Sequence, residues 1–502
     1  MNLNNTLKNK FNIDFSSFKL ILFVALIVRV IAAIFSEGYG MHDDHFLVIE
    51  ASTSWVDGYD YNGWLPWSEG NRGKPEGHSF TYVGLNYIFF YIVKFFGFSD
   101  PKILMLFNRL FHAFLSLLVV HFGMKITEKI SNRKNAVIVG WLLALISVIP
   151  FLSVRNLVEL SAIPFMIWGV WLLIKNEKKI NFLYAGLLVG LAVSFRYQIS
   201  VFAIGIGIYY FFKWEFKNFF VYTLGLMIAF GLTQGVVDYL IWGYPFAEFI
   251  TYSLYNMEEG VQYLPNSNYL MYFWVLMGVL LFPLGLLVCI GFFRSAKKYF
   301  LLFLPTLIFI LFHTFYPNRQ ERFILTVLPF FIILGVVGYQ SLMDRVFWRK
   351  LWNVSFVIFW ILNIPLVIAL SFHYSKKSRV EAMYSLYNNN IENERILLEG
   401  SRNTKPSQMP KFYANSWYCS LTDRIDTTQS LEVFEGNKYD YIFFFGDEEL
   451  KSRINEYRLI YPKLSLVKKC EPSMIDNIAR TLNPRNSNQY IEVWRTNEPI
   501  QK

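Results

Sequence analysis

Residues 80–97, FTYVGLNYIFFYIVKFFG, are apolar enough to cross a membrane, and whether they do so decides the topology of the chain. Eleven further apolar segments lie near 18–36, 103–123, 136–152, 157–174, 181–198, 199–212, 218–241, 270–293, 299–315, 321–341 and 351–372. If all twelve crossed from a cytoplasmic N-terminus, three basic loops would face outward: Lys125, Lys129, Arg133 and Lys134; Lys175, Lys178 and Lys179; and Arg294, Lys297 and Lys298. Excess Lys and Arg belongs in cytoplasmic loops, so that arrangement fails at each of them. Laying 80–97 along the outer surface as an interfacial helix, with Asn86 and Lys94 at headgroup level, repairs all three together. The expected architecture is an all-α polytopic membrane protein with about eleven transmembrane helices plus interfacial helices.

Composition agrees. Of 502 residues 54% are hydrophobic and only 17% charged, with 50 Phe and 31 Tyr, a balance suited to lipid contact. Residues 1–19 are polar and the run after them lacks a small-residue cleavage site, so it reads as an uncleaved first helix. The net charge of +10 sits largely in short loops between spans, where it orients the protein; no nucleic-acid partner is expected. Residues 1–372 form the membrane domain in this reading, and 373–502, where the composition turns polar, a small C-terminal α/β soluble domain. Its strands are expected at 395–400, 439–446 and 490–494 and its helices at 448–459 and 474–482. An odd number of crossings puts this domain outside, where Cys419 and Cys470 are able to pair; Cys289 lies within an apolar span.

The first outer loop, 37–102, carries Gly40-Met41-His42-Asp43-Asp44-His45-Phe46. Adjacent carboxylates repel each other and resist desolvation, so they add little stability at a membrane mouth. A carboxylate there can instead take a proton from a hydroxyl as a general base. The same rim collects Arg155, Glu159, Arg196, Gln198, Arg319, Gln320 and Arg322. A guanidinium stays charged and offers phosphate a planar fork, so Arg319 and Arg322 suit a departing phosphate. Plainer readings stand beside this: snorkelling arginines at a helix end, an Arg155–Glu159 ion pair four residues apart, and a helix boundary capped by Arg196 and Gln198. Trp55, Trp64 and Trp67 read as an interfacial belt, with stacking on sugars as the alternative. His42, His45 and His78 are too weakly patterned for a metal site, and no cofactor is expected.

Four rim stretches, in order, resemble glycosyltransferase family 22, the polyprenyl- or dolichyl-phosphate-mannose-dependent α-mannosyltransferases of the GT-C superfamily. His42-Asp43-Asp44-His45-Phe46 followed by Glu50 is similar to the family's x-D-E-x-F…E signature, with Asp44 in place of Glu. Gly77-His78-Ser79-Phe80-Thr81-Tyr82 resembles R-S-F-T-Y, with His78 in place of Arg. Arg155-Asn156-Leu157-Val158-Glu159 resembles R-T-L…E, and Asn318-Arg319-Gln320-Glu321-Arg322-Phe323, with Pro329, resembles H-K-E-x-R-F…P.

The resemblance implies a GT-C fold and transfer of a hexose, commonly mannose, from a polyprenyl-phosphate sugar to a glycan or glycolipid acceptor with inversion. It implies Asp43 and Asp44 as the catalytic carboxylates, and Arg322, Arg319, Arg196 and His78 at the donor phosphate. His42, His45, Glu50, Arg155, Glu159 and Gln320 would support the acceptor and the site. Membrane lipid is the remaining partner. The alternatives are a flippase for lipid-linked glycans, which calls for charged or broken helices at the midplane, an envelope assembly protein, and a GT-C transferase using an aminosugar. A bacterial inner membrane with the site facing the periplasm is favoured, with an endoplasmic-reticulum membrane left open.

Overall fold

All twelve apolar segments are helical in the computed structural model, which describes residues 14–68, 73–175, 177–258, 268–387, 389, 391, 393–401, 404–424, 438–482 and 489–496. Among the described residues six helices are long and apolar enough to cross a membrane: Phe18–Phe35, Pro101–Ile130, Val158–Lys175, Phe216–Trp242, Glu321–Leu342 and Val346–Ser371. Phe80–Phe95, Ile180–Phe195, Tyr197–Phe212 and Phe300–Phe315 are shorter apolar helices.

Two expected spans are not continuous helices, which corrects the reading of 136–152 and 270–293. The second bends by 116° between Met271–Val279 and Leu284–Arg294, where Pro283 has no N–H to give and Leu281 adopts φ +51. The first ends at Leu145 and resumes as Val148–Ser153. A break among apolar residues strands backbone carbonyls that no water reaches, so side chains must replace the missing partners. Arg29, fully buried, donates to the carbonyls of Leu143 (3.2 Å) and Ala144 (3.1 Å), and its Nε donates to Ser116 Oγ (2.9 Å). Asn363 completes the seal, donating from Nδ2 to the Leu145 carbonyl (2.6 Å) and accepting at Oδ1 from the Ser147 N–H (2.8 Å).

The chain divides into two compact units. The first comprises Met1–Ala33, Gly73–Tyr82 and Leu110–Ser371 and is helical. Ile180–Phe195 packs on both Val158–Lys175 and Phe216–Phe230, and Leu284–Arg294 packs on Leu328–Tyr339. The latter pair meets backbone to backbone: a methyl added at Gly338 would strike the Gly291 carbonyl, so no larger side chain fits that crossing. Leu328–Tyr339 is buried at every residue, which explains why it has no polar face.

The second unit comprises Ile34–Arg72, Val83–Arg109 and Phe372–Lys502. Among the described residues it holds a five-stranded sheet, with β1 (Arg395–Glu399), β2 (Ser420–Arg424), β3 (Tyr441–Phe445), β4 (Ser465–Cys470) and β5 (Ile491–Arg495) in the order β2-β1-β3-β5-β4. β2, β1 and β3 run parallel, and β5 pairs antiparallel with β3 and β4. β3 (YIFFF) alternates between two cores: Tyr441, Phe443 and Phe445 on one face, Ile442 and Phe444 on the other. The first of these cores also contains Phe46, Ile49, Phe90 and Met105, so the segment after the first helix is folded into the sheet domain.

β2 and β4 escaped the sequence reading because they are edge strands of mixed polarity, β2 partly and β4 mostly exposed, which blunts the alternation that marks a strand. Their positions also answer the open question of a Cys419–Cys470 bond against it. Cys419 leads into β2 and Cys470 ends β4, at opposite edges of the sheet, four strand spacings of about 4.8 Å apart. Both thiols are free and buried.

Arg29→Met keeps an apolar stem but orphans the carbonyls at the helix break. A loss of about 1–3 kcal/mol is expected, read as a lower Tm in detergent, whereas the exposed neighbour Ile27→Met should change little. Equal Tm values for the two variants would show that Arg29 does not seal the break.

Candidate active site

In the second unit the signature stretch forms one tight turn. His42–Asp44 is a turn of α-helix that widens into a π-helix over His45–Glu50 and returns to α-helix at Ala51–Val56. Such widened turns often accompany functional sites, because they shift side chains off the regular helical face. Asp43 is exposed, whereas its neighbour Asp44 is buried. His42 is exposed and packs its ring on Phe46, with centroids 4.5 Å apart.

His45 and Glu50 lie beneath the turn. The His45 ring is stacked between Tyr39 (4.2 Å) and Tyr413 (5.7 Å), and its Nε2 is 3.4 Å from Glu50 Oε1. Glu50 Oε1 accepts from the Phe412 N–H (3.2 Å), and the Phe46 carbonyl accepts from Asn62 Nδ2 (3.1 Å). Burial pushes the Glu50 carboxyl up to about 8, against the pull of the Phe412 N–H. Burial also holds His45 well below the usual imidazole value, helped by the positive charges of Lys376 and Arg379. At neutral pH the pair is therefore an uncharged imidazole beside a protonated acid.

Sequence reasoning passed over Lys376 and Arg379. Lys376 donates to the Gly40 carbonyl and sits over the Tyr39 ring at 4.7 Å, with Arg379 over the same ring at 5.6 Å. Lys376 adopts a left-handed backbone, φ +52, an uncommon conformation for a side-chain-bearing residue. The segment before it is stitched to the start of the turn: Ser36 Oγ donates to the His373 carbonyl (2.8 Å) and the Ser375 N–H to the Glu37 carbonyl (3.0 Å). Gly38, at φ +80, lies so close to the Ser375 carbonyl that a Cβ would overlap it. The basic run after the last apolar segment was the available signal, read only as a change of composition.

In the first unit two of the rim arginines, Arg196 and Arg322, converge on one acid. Glu159, fully buried in the first turn of Val158–Lys175, lies 3.0 Å from Arg196 Nη2 and 3.4 Å from Arg322 Nε. A carboxylate at that end also complements the helix dipole. Gln198 and Gln320 accept from the Nε atoms of Arg196 (3.0 Å) and Arg322 (2.8 Å), and these bonds orient the two guanidinium planes. Arg196 also faces the Phe323 ring at 5.3 Å. The plain helix-cap reading of Arg196 and Gln198 is thus extended: the two bond to each other, and Arg196 pairs with Glu159.

Arg319 takes another neighbourhood, donating from Nε to the Tyr316 carbonyl (3.0 Å) and lying over Tyr269 at 4.3 Å. Arg155 is buried over the Phe151 ring at 4.6 Å. His78 is half-buried, and its backbone N–H donates to Glu248 Oε2 (2.9 Å), as does that of Gly77 (2.6 Å). Glu248 is a third residue that sequence reasoning missed. It also accepts from Trp242 Nε1 (2.8 Å), and burial raises its carboxyl to about 7. Its only signal was a lone acid in the aromatic stretch Trp242–Phe249. The rest of the Gly77–Tyr82 segment is pinned as well: Thr81 Oγ1 donates to the Thr233 carbonyl (2.9 Å) and the Tyr82 hydroxyl pairs with His112 Nε2 (2.7 Å).

A sequence profile of the Alg9-like mannosyltransferase family matches residues 20–403. No curated protein sequence matches the chain. Among solved structures the fold is similar to ArnT from Cupriavidus metallidurans in the apo state, at 12% identity and TM-score 0.58, covering 95% of this chain and 97% of that one. ArnT bound to undecaprenyl phosphate gives 12% identity, TM-score 0.57 and the same coverage. The Archaeoglobus fulgidus oligosaccharyltransferase AglB, in complex with an inhibitory peptide and a dolichol-phosphate, gives 12% identity and TM-score 0.51 over 88% of this chain and 70% of that one. With the profile spanning all four motif stretches and GT-C enzymes sharing the fold, the chain is a membrane glycosyltransferase belonging to the Alg9-like mannosyltransferase family.

Proposed function

We propose that the protein transfers a hexose, mannose by family, from a polyprenyl-phosphate donor to a hydroxyl of a glycan or glycolipid acceptor, inverting the anomeric carbon. The observation that carries this reading is the turn itself, with Asp43 exposed at the family's acidic position and Asp44 enclosed beside it. Asp43 takes the acceptor proton as the acceptor oxygen bonds to the anomeric carbon. The bond from that carbon to the phosphate oxygen breaks, and its electron pair leaves with polyprenyl phosphate. Arg196 and Arg322, oriented by Gln198, Gln320 and Glu159, hold the phosphate as its charge grows. Arg319, Arg155 and His78 line the same rim in this reading, and His42 lies beside the acceptor.

The donor class is supported by the undecaprenyl phosphate and dolichol-phosphate bound to the structural relatives. The turn is proposed to face away from the cytoplasm, opposite Lys125–Lys134, which suits a bacterial inner membrane with a periplasmic site. Broken helices would suit a flippase, but the break at Leu145 is closed by Arg29 and Asn363 from within the protein.

Purified protein given a panel of polyprenyl-phosphate sugars and glycan acceptors should release polyprenyl phosphate with one of the sugars. In that assay Asp43→Asn should lose about 10²- to 10⁴-fold in turnover, with donor affinity kept. Arg322→Ala should weaken donor use by roughly 10- to 1000-fold, and Arg322→Lys by less, since lysine keeps the charge without the fork. An active Asp43→Asn, Asp44→Asn double variant would sink the proposed base, and unaltered donor kinetics in Arg322→Ala would remove that arginine from the phosphate.

Glu50 lends the turn a pH dependence. Its folded pKa, about 8, is raised above an unfolded value of 4.5, so the folded state holds a proton that the unfolded state has lost. The associated stability is full below the unfolded value and disappears as pH climbs through the folded one, at a slope approaching about 1.4 kcal/mol per pH unit. His45 works in the opposite sense, but only below its ordinary value of 6.5. Between pH 6.5 and 8 the wild type should therefore lose stability relative to Glu50→Gln, which keeps an acceptor for the Phe412 N–H. A Tm difference between the two proteins that stays constant over this range would contradict the protonated acid.

A further inference from the structure

Helix Met474–Leu482 is built the wrong way round for a soluble domain. At about 100° per residue, Met474, Ile475, Ile478, Ala479 and Leu482 share one arc, and Asp476, Asn477, Arg480 and Thr481 take the other. In a globular fold the apolar arc faces the core. Here Asp476 is 4% exposed, whereas Met474 is 79%, Ile478 48% and Leu482 82% exposed.

The anchor is polar as well. Asp476 Oδ1 lies 3.7 Å from His373 Nε2, and Ser473 Oγ is 3.3 Å from His373 Nδ1 and accepts from the Asp476 N–H (3.2 Å). His373 follows the apolar helix Val346–Ser371 by two residues, a helix whose Ile361, Ile364 and Ile368 are exposed as lipid-facing side chains would be. Between them Phe372 packs on Phe35, the last residue of Phe18–Phe35, at 5.1 Å between ring centroids. Two membrane-length helices thus end side by side at these phenylalanines, and the next residue holds the N-terminal turn of Met474–Leu482.

We propose that Met474–Leu482 lies in the outer interface of the bilayer, its Met, Ile and Leu arc at the boundary between headgroups and acyl chains, and so docks the sheet domain onto lipid. Lipid is the fitting occupant because the His373 link sets the helix at the depth where the spans end. The arc is also continuous in kind with the lipid-facing residues of the last span. Arg480, partly exposed on the polar side, suits anionic headgroups. A helix of this length runs about 13 Å along the surface, and an interfacial helix sinks its apolar face about 5–10 Å into the boundary.

The test uses the full chain in lipid nanodiscs containing phosphatidylglycerol. With Cys289→Ala removing the one half-buried thiol, an environment-sensitive fluorophore is placed on Ile478→Cys, on Leu482→Cys as a second probe, and on Asn477→Cys as the polar-side control. A doxyl quencher near the top of the lipid acyl chain should quench the first two by about twofold, because that is the depth an interfacial apolar face reaches. Aqueous iodide should quench the control instead. Probes at 478 and 482 that respond to iodide and ignore the doxyl lipid would overturn the proposal. So would probes shielded from both quenchers, which would assign the arc to a protein surface.

Discussion

Phe46 and Ile49, on the turn that presents Asp43, are core residues of a sheet whose strands lie roughly 350 to 450 residues further along the chain. Burying two large apolar side chains there contributes on the order of several kcal/mol, and almost everything else about the turn follows from it. The π-helix lets the backbone sink Phe46, Ile49 and Glu50 while Asp43 stays at the surface. Glu50, carried inward with them, cannot remain an anion in that environment, so it keeps its proton and takes the Phe412 N–H. The turn that carries Asp43 is thus less a loop of the membrane domain than a piece of the sheet domain's core.

Buried charge in the helical unit obeys the same economy. Arg29 is tolerated because a helix stops beside it and offers carbonyls, and Glu159 because two guanidiniums approach it at a helix N-terminus. In both places a polar side chain and a defect in regular structure satisfy each other. Glu248 belongs to the same class: it collects the N–H groups of Gly77 and His78, just ahead of the helix that begins at Phe80.

Sequence reading recovered what hydropathy and short motifs encode. The positions of the apolar helices, the change of composition near residue 373, and the four motif stretches were all visible, because each rests on a local pattern. The breaks near Leu145 and Leu281 were not, since the residues that make the first one affordable, Arg29 and Asn363, lie far away in the chain. β2 and β4 were invisible because edge strands carry no sustained alternation, and the possible Cys419–Cys470 bond failed because strand order is a long-range property. The motifs led to Asp43, Glu159 and Arg322, but Lys376, Arg379 and Glu248 lack a motif and emerge only from contacts. The burial of Glu50 could not be read from its position in the signature either.

The stitching of Ser36–Gly40 to His373–Lys376 has a consequence for how the protein is made. Translation proceeds from the N-terminus at roughly 5–20 residues per second, so the turn bearing Asp43 leaves the ribosome long before the segment that fastens it. Until Phe412 follows, Glu50 lacks the amide it accepts from, and until β3 and β5 follow, the core that Phe46 and Ile49 enter is incomplete. A nascent or truncated chain therefore holds every residue of its signature without the geometry of the turn, and the enzyme comes into being only when its last strand is in place.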